Sequence, residues 1–435
     1  MKITYLVPGV HLCGGIKIVF SQVNGLIEKG HQVQVLSPVK SQDWFPLKAN
    51  IKKVKDFKNI PDSDIVIATY NPTAFAAARI KEGIPFYLVQ GYETPFESDP
   101  FLQKRAEASY LLPLNIICVS TYLKQLLFNK FRRMSQVVPN GISLERPSSK
   151  SKEQLRILML YSSFPSKDPE VGLAALREVK RKYPKVEVLL FGLEDMPRTD
   201  FPLTYIKDPP KSKLLEIYGQ SHIFLSSSKQ EGFSLPVLEA MASKCAVVTT
   251  DSGGVREMAK DEETALMVKP GDFKGLASKV IGLVEDEEKR GKMAISGLKK
   301  AGEFSLKEMT NRLESLFLEA KKTYDGKERR DWLAWERALL LCPDDPYANY
   351  MLGVTLFKQG ELNKAKGKFE QVISCSPDFD LPYYKLGQLY FEQKDLSRAR
   401  QNLEKALELN PEFKMARRFL DKLNKATFIT NHERD

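Results

Sequence analysis

From residue 1 to about residue 300, short runs that are apolar almost throughout alternate with stretches whose apolar residues fall at helical spacing. KITYLVP (2–8), VQVLSP (33–38), DIVIATY (64–70), FYLVQ (86–90) and IICVS (116–120) read as strands. A strand that is apolar on both sides is covered on both faces, as in a parallel sheet between two helix layers. IKIVFSQVNGLIEKGHQ (16–32) carries the helical spacing between the first two strands, with Gly30 as its stop. The alternation predicts an α/β chain built on doubly wound sheets.

ERPSSKSKEQ (145–154) is polar and reads as an interdomain linker, after which the pattern starts again. RILMLYSS (156–163), KVEVLLFG (185–192), HIFLSSS (222–228), CAVVTTD (245–251) and ALMVKPGD (265–272) are strands, with a helix near 169–183. Two Rossmann-like domains are expected, 1–149 and 150–304, each of about 150 residues. Ligands of such sheets sit beyond the C-terminal ends of the strands, here in the cleft between the domains. A helix over 305–324 is expected to cross back to the first domain.

Beyond that the pattern is purely helical and periodic. Leu352-Gly353, Ala365, Phe369 and Pro377 recur 34 residues later as Leu386-Gly387, Ala399, Leu403 and Pro411. Ala338 and Pro343 fit the closing half of an earlier, worn copy, and 417–425 would cap the stack. The period resembles tetratricopeptide repeats, which predicts an all-α repeat module at 325–435 that recruits a protein partner.

The composition is that of a globular protein, 43% hydrophobic and 28% charged. No apolar run approaches the ~18–20 residues of a membrane helix. The opening MKITYLVPGVHLCGG has too short an apolar core for a signal peptide, so a cytoplasmic location is expected. Five scattered cysteines without a CxxC pair read as buried, reduced thiols. Net charge is +11, and residues 101–150 hold eight basic and two acidic residues. Within them KQLLFNKFRRM (124–134) mixes cations with large apolar side chains. Such a segment suits anionic lipid, an anionic acceptor or nucleic acid; a solvated helix face is the plainer reading. The expectation is peripheral contact with the inner membrane face, without a nucleic-acid partner.

The chemistry concentrates in EGFSLPVLEAMASKCAVVTTDSGGVRE (231–257). Ser234 is a good N-cap for a helix beginning at Leu235, and Pro236 is tolerated in the first turn. The N–H groups of Phe233 to Leu235, backed by the helix dipole, make an anion site that suits a diphosphate. Glu231 lies ahead of the helix and Glu239 one turn inside it, so the two carboxylates flank that site and accept from hydroxyls on either side.

These residues resemble the E-x7-E region of retaining glycosyltransferases of the GT-B architecture, in particular glycosyltransferase family 4 (group 1). The resemblance covers most of residues 1–320 and includes a Gly14-Gly15 turn after the first strand, GHQV (30–33), VVPNGIS (137–143) and Gly253-Gly254. It implies that Gly14, Gly15, Gly232, Phe233, Ser234 and Leu235 contact a nucleotide-sugar donor. It also implies that Glu231 meets the donor sugar and Glu239 the ribose hydroxyls. Family members carry an Arg and a Lys after the first strand of the second domain. In YSSFPSKDP (161–169) Lys167 fits the lysine, whereas Ser162 or Ser163 stands where the arginine belongs. Arg256 or a backbone N–H is a candidate substitute. YLVQGYETPF (87–96) resembles a Q-x-Y-E segment of some rhamnosyltransferase-like members. Gln90, Tyr92 and Glu93 are thus candidates for acceptor or sugar contact, with a structural turn as the other reading.

Asp62 and Asp64 form a D-x-D that precedes a strand where a metal-binding motif would follow one, and the four histidines show no ligand spacing. PGVHLCGG is not G-x-G-x-x-G, so no nicotinamide is indicated. No metal and no cofactor are expected beyond the nucleoside-diphosphate sugar as co-substrate. The resemblance implies metal-independent transfer of a hexose-like unit, with retention, to a glycan or glycolipid. Glu231 and Lys167 would be the catalytic residues. Two alternatives stand beside it. One is a transferase-like scaffold that acts through its repeats, supported by the missing arginine. The other is a GT-B sugar-nucleotide epimerase, which needs acid–base pairs that are not evident.

Overall fold

The computed structural model describes residues 1–144, 154–196, 198–325 and 333–432, with side chains to residue 424. The linker reading over 145–153 and the boundary at 149–150 lie outside the described residues. Seven parallel strands form the first sheet: β1 (Lys2–Leu6), β2 (Gln32–Ser37), β3 (Ile51–Lys53), β4 (Ile65–Ala68), β5 (Ile84–Val89), β6 (Asn115–Cys118) and β7 (Gln136–Val137). Their order is β3-β2-β1-β4-β5-β6-β7. Six form the second: β8 (Arg156–Leu160), β9 (Glu187–Gly192), β10 (Thr204–Lys207), β11 (Ile223–Ser226), β12 (Ala246–Thr250) and β13 (Leu266–Val268), ordered β10-β9-β8-β11-β12-β13. β4 and β5 are buried at every position, which is why they read as unbroken apolar runs.

Around the first sheet lie α1 (Gly14–Glu28), α2 (Asn71–Ala77), α3 (Pro100–Tyr110) and α4 (Thr121–Phe131). Around the second lie α5 (Pro169–Lys182), α6 (Lys211–Gln220), α7 (Leu235–Ala242), α8 (Phe273–Glu285) and α9 (Glu287–Ala301). α10 (Leu306–Asp325) then packs on the first sheet, with the Phe317 ring 5.0 Å from that of Phe86. Its Glu314 takes Lys29 at 2.6 Å and His31 at 2.8 Å, and Lys321 pairs with Asp64 at 2.9 Å. Asp64 also accepts from the Lys2 N–H, so this half of the D-x-D ties strand and helix together.

The repeat helices are α11 (Ala334–Ala338), α12 (Pro346–Lys358), α13 (Leu362–Cys375), α14 (Asp380–Glu392), α15 (Leu396–Leu409) and α16 (Lys414–His432). A Cβ on Gly353 would stand 2.7 Å from Phe369, and one on Gly387 2.8 Å from Leu403. The same small-against-large contact therefore recurs one period apart. α11 is a five-residue remnant, and it faces the first domain instead of a preceding repeat. Arg337 donates to the carbonyls of Ile80, Lys81 and Gly83, and Asn115 Nδ2 donates to the Arg337 carbonyl at 2.7 Å.

The basic segment 124–134 divides at this junction. Lys124 and Lys130 are exposed on α4, as on a solvated helix face. Arg132 pairs with Asp378. Arg133 is buried against Asp345, Nε to Oδ2 at 3.0 Å, and it also donates to the carbonyls of Tyr110, Leu112 and Leu114. Asp345 caps α12 through the Ala348 N–H and accepts from Met134 N–H, so both of its carboxylate oxygens have donors. No disulfide joins the five cysteines, but only Cys118, Cys245 and Cys342 are buried. Cys13 is half-buried and Cys375 exposed, which corrects the expectation for those two.

Candidate functional site

The loops beyond β1, β5 and β11 meet across the gap between the sheets. α7 starts at Leu235 with Ser234 as N-cap, but Ser234 has φ 77° and its side chain makes no capping bond. An N-cap hydroxyl reaches the first-turn N–H groups from an extended backbone, and the left-handed backbone removes that geometry. Among the described residues none accepts from the N–H groups of Phe233, Ser234 or Leu235. The helix head is left open to an anion.

Glu231 is pinned by its backbone, its N–H bonding to the Ser252 carbonyl at 2.8 Å while Gly254 N–H returns to its own carbonyl at 3.0 Å. Its Oε1 accepts from Lys167 Nζ at 2.7 Å and from Ser228 Oγ at 2.8 Å. β8 pairs with β11, so the turn Pro165–Lys167 after β8 lies beside the loop after β11. Ser227 Oγ ties the two loops through the carbonyls of Lys167 and Asp168. Glu239 accepts from Lys17 Nζ at 2.5 Å on Oε1 and from Tyr218 OH at 3.2 Å on Oε2. Burial, and then the Glu239 charge, push the Tyr218 hydroxyl well above its usual range, so it stays a neutral donor.

The opposite wall comes from the first domain. Gly14 and Gly15, expected as a turn, are the first residues of α1; the turn precedes them. A Cβ on Gly14 would lie 3.3 Å from Leu235 Cδ1, and one on Gly15 3.3 Å from Gln90 Nε2. Closer still, a Cβ on Gly232 would lie 1.9 Å from the Gln90 carbonyl oxygen, and one on Gly254 2.2 Å from that of Gly232. The two domains thus touch through glycine backbone. Tyr122, against Gly253 and bonded to Gln230 at 3.3 Å, and the Phe96–Phe164 ring pair at 5.2 Å complete the contact.

The three residues of the Q-x-Y-E segment part company. Gln90 lies at the cleft, its Oε1 buried without a partner among the described residues. Tyr92 and Glu93 turn into the first domain, where their polar atoms are bonded. Tyr92 bonds Glu107 at 3.0 Å and stacks on Tyr110. Glu93, 3% exposed, accepts from Asn71 N–H at the head of α2 and from Tyr87 OH. Burial raises its carboxyl to about 7, and the bonds from Tyr87 and Asn71 offset part of that rise. Arg256, suggested as the substitute cation, is bound in a two-pronged pair to Asp251 at 2.7 and 2.6 Å. Sequence reasoning missed Lys17, Ser228 and Tyr218. Of these only Lys17 left a signal, as a lysine two residues after Gly14-Gly15.

Residues 142–300 match the family model "Glycosyl transferases group 1", and 347–378 and 381–413 match tetratricopeptide repeat models. The capsular polysaccharide biosynthesis glycosyltransferase CapM of Staphylococcus aureus is 29% identical over 126 residues, 29% of this chain and 32% of its own length. The D-inositol 3-phosphate glycosyltransferase of Corynebacterium efficiens is 27% identical over 191 residues, 40% of this chain and 45% of its own. The chain therefore spans less than half the length of these curated relatives. Among solved structures, sucrose-phosphate synthase from Thermosynechococcus elongatus superposes with a TM-score of 0.62 at 14% identity, over 75% of this chain and all of its own. HepE of Anabaena, solved with UDP-glucose, reaches 0.61 at 15%, over 72% and 98%. At these identities the structural likeness speaks for the fold alone. The chain thus carries, over residues 142–300, a match to the group 1 glycosyltransferase model on a GT-B fold, followed by tetratricopeptide repeats.

Proposed function

We propose that this chain is a retaining glycosyltransferase of the family 4 type, moving a hexose-like sugar from a nucleoside-diphosphate sugar to a glycan or glycolipid hydroxyl without a metal ion. The observation that carries this reading is the Lys167–Glu231 pair at the open head of α7, with Glu239 a turn further in and Gly14, Gly15 and Gln90 opposite. The diphosphate lies on the N–H groups of Phe233 to Leu235 and takes Lys167, while Gly232 lets the first domain close over it. Glu231, released from Lys167, accepts from the sugar hydroxyls, and Glu239 from those of the ribose.

The bond between the anomeric carbon and the β-phosphate oxygen breaks, its electron pair leaving with the diphosphate. The acceptor oxygen attacks from the same face, and its proton passes to the departing phosphate. Lys167 and the α7 dipole stabilise the charge that builds there, as preorganised electrostatics. That charge complement is the support for metal independence. The relative named for capsular polysaccharide supports a glycan acceptor.

The working division is 1–149, 150–304, a crossover at 305–324 and repeats at 325–435, the repeats docking a protein partner. Among the described residues no helix is long and apolar enough to cross a membrane. We place the enzyme in the cytoplasm, touching the inner membrane face through Lys124 and Lys130.

The test is nucleoside-diphosphate release from UDP-, GDP-, dTDP- and ADP-sugars by wild type and Glu239→Gln, with and without EDTA. Release from one donor class, insensitive to EDTA and lost in the variant, is the expected result. No release, together with no thermal shift from any donor, overturns the transferase reading in favour of a scaffold.

A further inference from the structure

The place of the family's arginine is occupied by groups that hold an anion of the protein itself. Ser163 N–H donates to Glu194 Oε2 at 2.8 Å, and Ser162 Oγ donates to its Oε1 at 3.2 Å. Burial pushes that carboxyl up, but the Ser163 bonds outweigh it and hold the group below its usual range. A charged Glu194 therefore stands where a phosphate-binding cation is missing. Arg256 pairs with Asp251 and Lys229 with Asp168 at 3.3 Å, acids to which the transferase reading gives no contact with the donor. A second cation is offered from another direction.

Lys17 is the fourth residue of α1, a helix without an acid in its first turn. Gly14, one turn earlier on the same helix, packs on Leu235 at the head of α7. From there the Lys17 ammonium reaches across to Glu239, the carboxylate assigned to the ribose. Lysine is a point charge on a flexible stem, and a partly exposed pair such as this one is weakly held. Glu239 keeps its Tyr218 bond whichever partner takes Oε1.

Resting on the transferase reading, we propose that Lys17 is the second diphosphate-binding cation, parked on Glu239 while the cleft is empty. Donor entry exchanges both partners at once. Ribose hydroxyls replace the ammonium on Glu239, and the ammonium moves to the diphosphate. Substrate binding thus keeps the first domain tied to the second, now through a charge that the acceptor side supplies to the donor. The cation lost at Ser162–Ser163 is restored from across the cleft.

The exchange sets opposite signs for two ligands of one site. Wild type, Lys17→Met and Lys17→Arg are titrated with UDP, GDP, dTDP and ADP and with the matching nucleosides. Lys17→Met is expected to bind the preferred diphosphate about tenfold more weakly, because a charge-assisted bond is lost. The same variant binds the nucleoside as well as wild type or better, because Glu239 no longer has to release a lysine. Lys17→Arg restores diphosphate binding. If Lys17→Met binds the diphosphate as wild type does, the inference fails while the transferase reading stands. Equal weakening of diphosphate and nucleoside also overturns it, leaving Lys17 as a strut between domains. If wild type binds no nucleotide at all, both readings fall.

Discussion

Two junctions of this molecule are made by cations of the first domain reaching for acids elsewhere, and they differ in how much water they keep. In the cleft, Lys17 and Glu239 retain 37% and 19% of their side-chain exposure, and beside them, within the second domain, Lys167 and Glu231 retain 26% and 11%. At the repeats, Arg133 and Asp345 retain 1% each. A partly wet pair costs little to part, because solvent and an incoming ligand replace the lost partner. A dry pair is different, since removing one member leaves an uncompensated charge in low dielectric. The cleft is therefore built to exchange partners. The repeat junction is built to hold one arrangement, with a guanidinium whose planar fork also satisfies three carbonyls.

The largest effect is expected from breaking the dry junction. Arg133→Ala should destabilise by about 3–5 kcal/mol, read as a lowered thermal midpoint and early proteolytic release of the repeats. A variant that keeps its repeats attached and its midpoint unchanged would show that α11 and its Arg337 contacts suffice alone. In the cleft, Gly232→Ala pushes a methyl into the Gln90 carbonyl and should lower donor turnover about a hundredfold, leaving the midpoint almost unmoved. A large stability loss in that variant would mean that the cleft is as structural as the repeat junction.

Glu93 sharpens the comparison, being buried like Arg133 but without a counter-ion, so that burial favours its protonated form. Its carboxyl ionises near 4.5 when unperturbed and near 7 in the fold. Between those values the folded state keeps a proton that the unfolded chain has released. Its contribution is therefore full below pH 4.5 and lost as pH rises through 7. Unfolding titrations should show this loss, on the order of 3 kcal/mol, in wild type and not in Glu93→Gln. A parallel pH dependence in both proteins would remove Glu93 as the cause. The smallest effect belongs to Arg132→Ala, one residue from the dry pair. Its exposed partner Asp378 makes it worth at most about 1 kcal/mol, fading in salt.

Much of the architecture is legible in local pattern. Continuous apolar runs such as IVIA at β4 reflect burial on two faces, and the Gly353/Gly387 period reflects helix pairs that must approach closely. The E-x7-E segment could be placed at a helix head because cap, proline and acids lie within nine residues of sequence, 231–239. What escaped were pairings between residues far apart in the chain. RRM at 132–134 looks like one basic cluster, yet chain direction at the end of α4 sends one arginine outward and the next into the core. Gln90, Tyr92 and Glu93 look alike as cleft candidates, and only the packing of α2 and α3 sends the last two inward.

By itself, then, the sequence determined the two sheets, the repeats and the anion-ready head of α7, because each depends on periodicity or on neighbours along the chain. Only the tertiary structure decided which cations meet which acids and how dry each pair is. Charge on a long side chain carries no period, and its partner is chosen by which loops the folded sheets bring together.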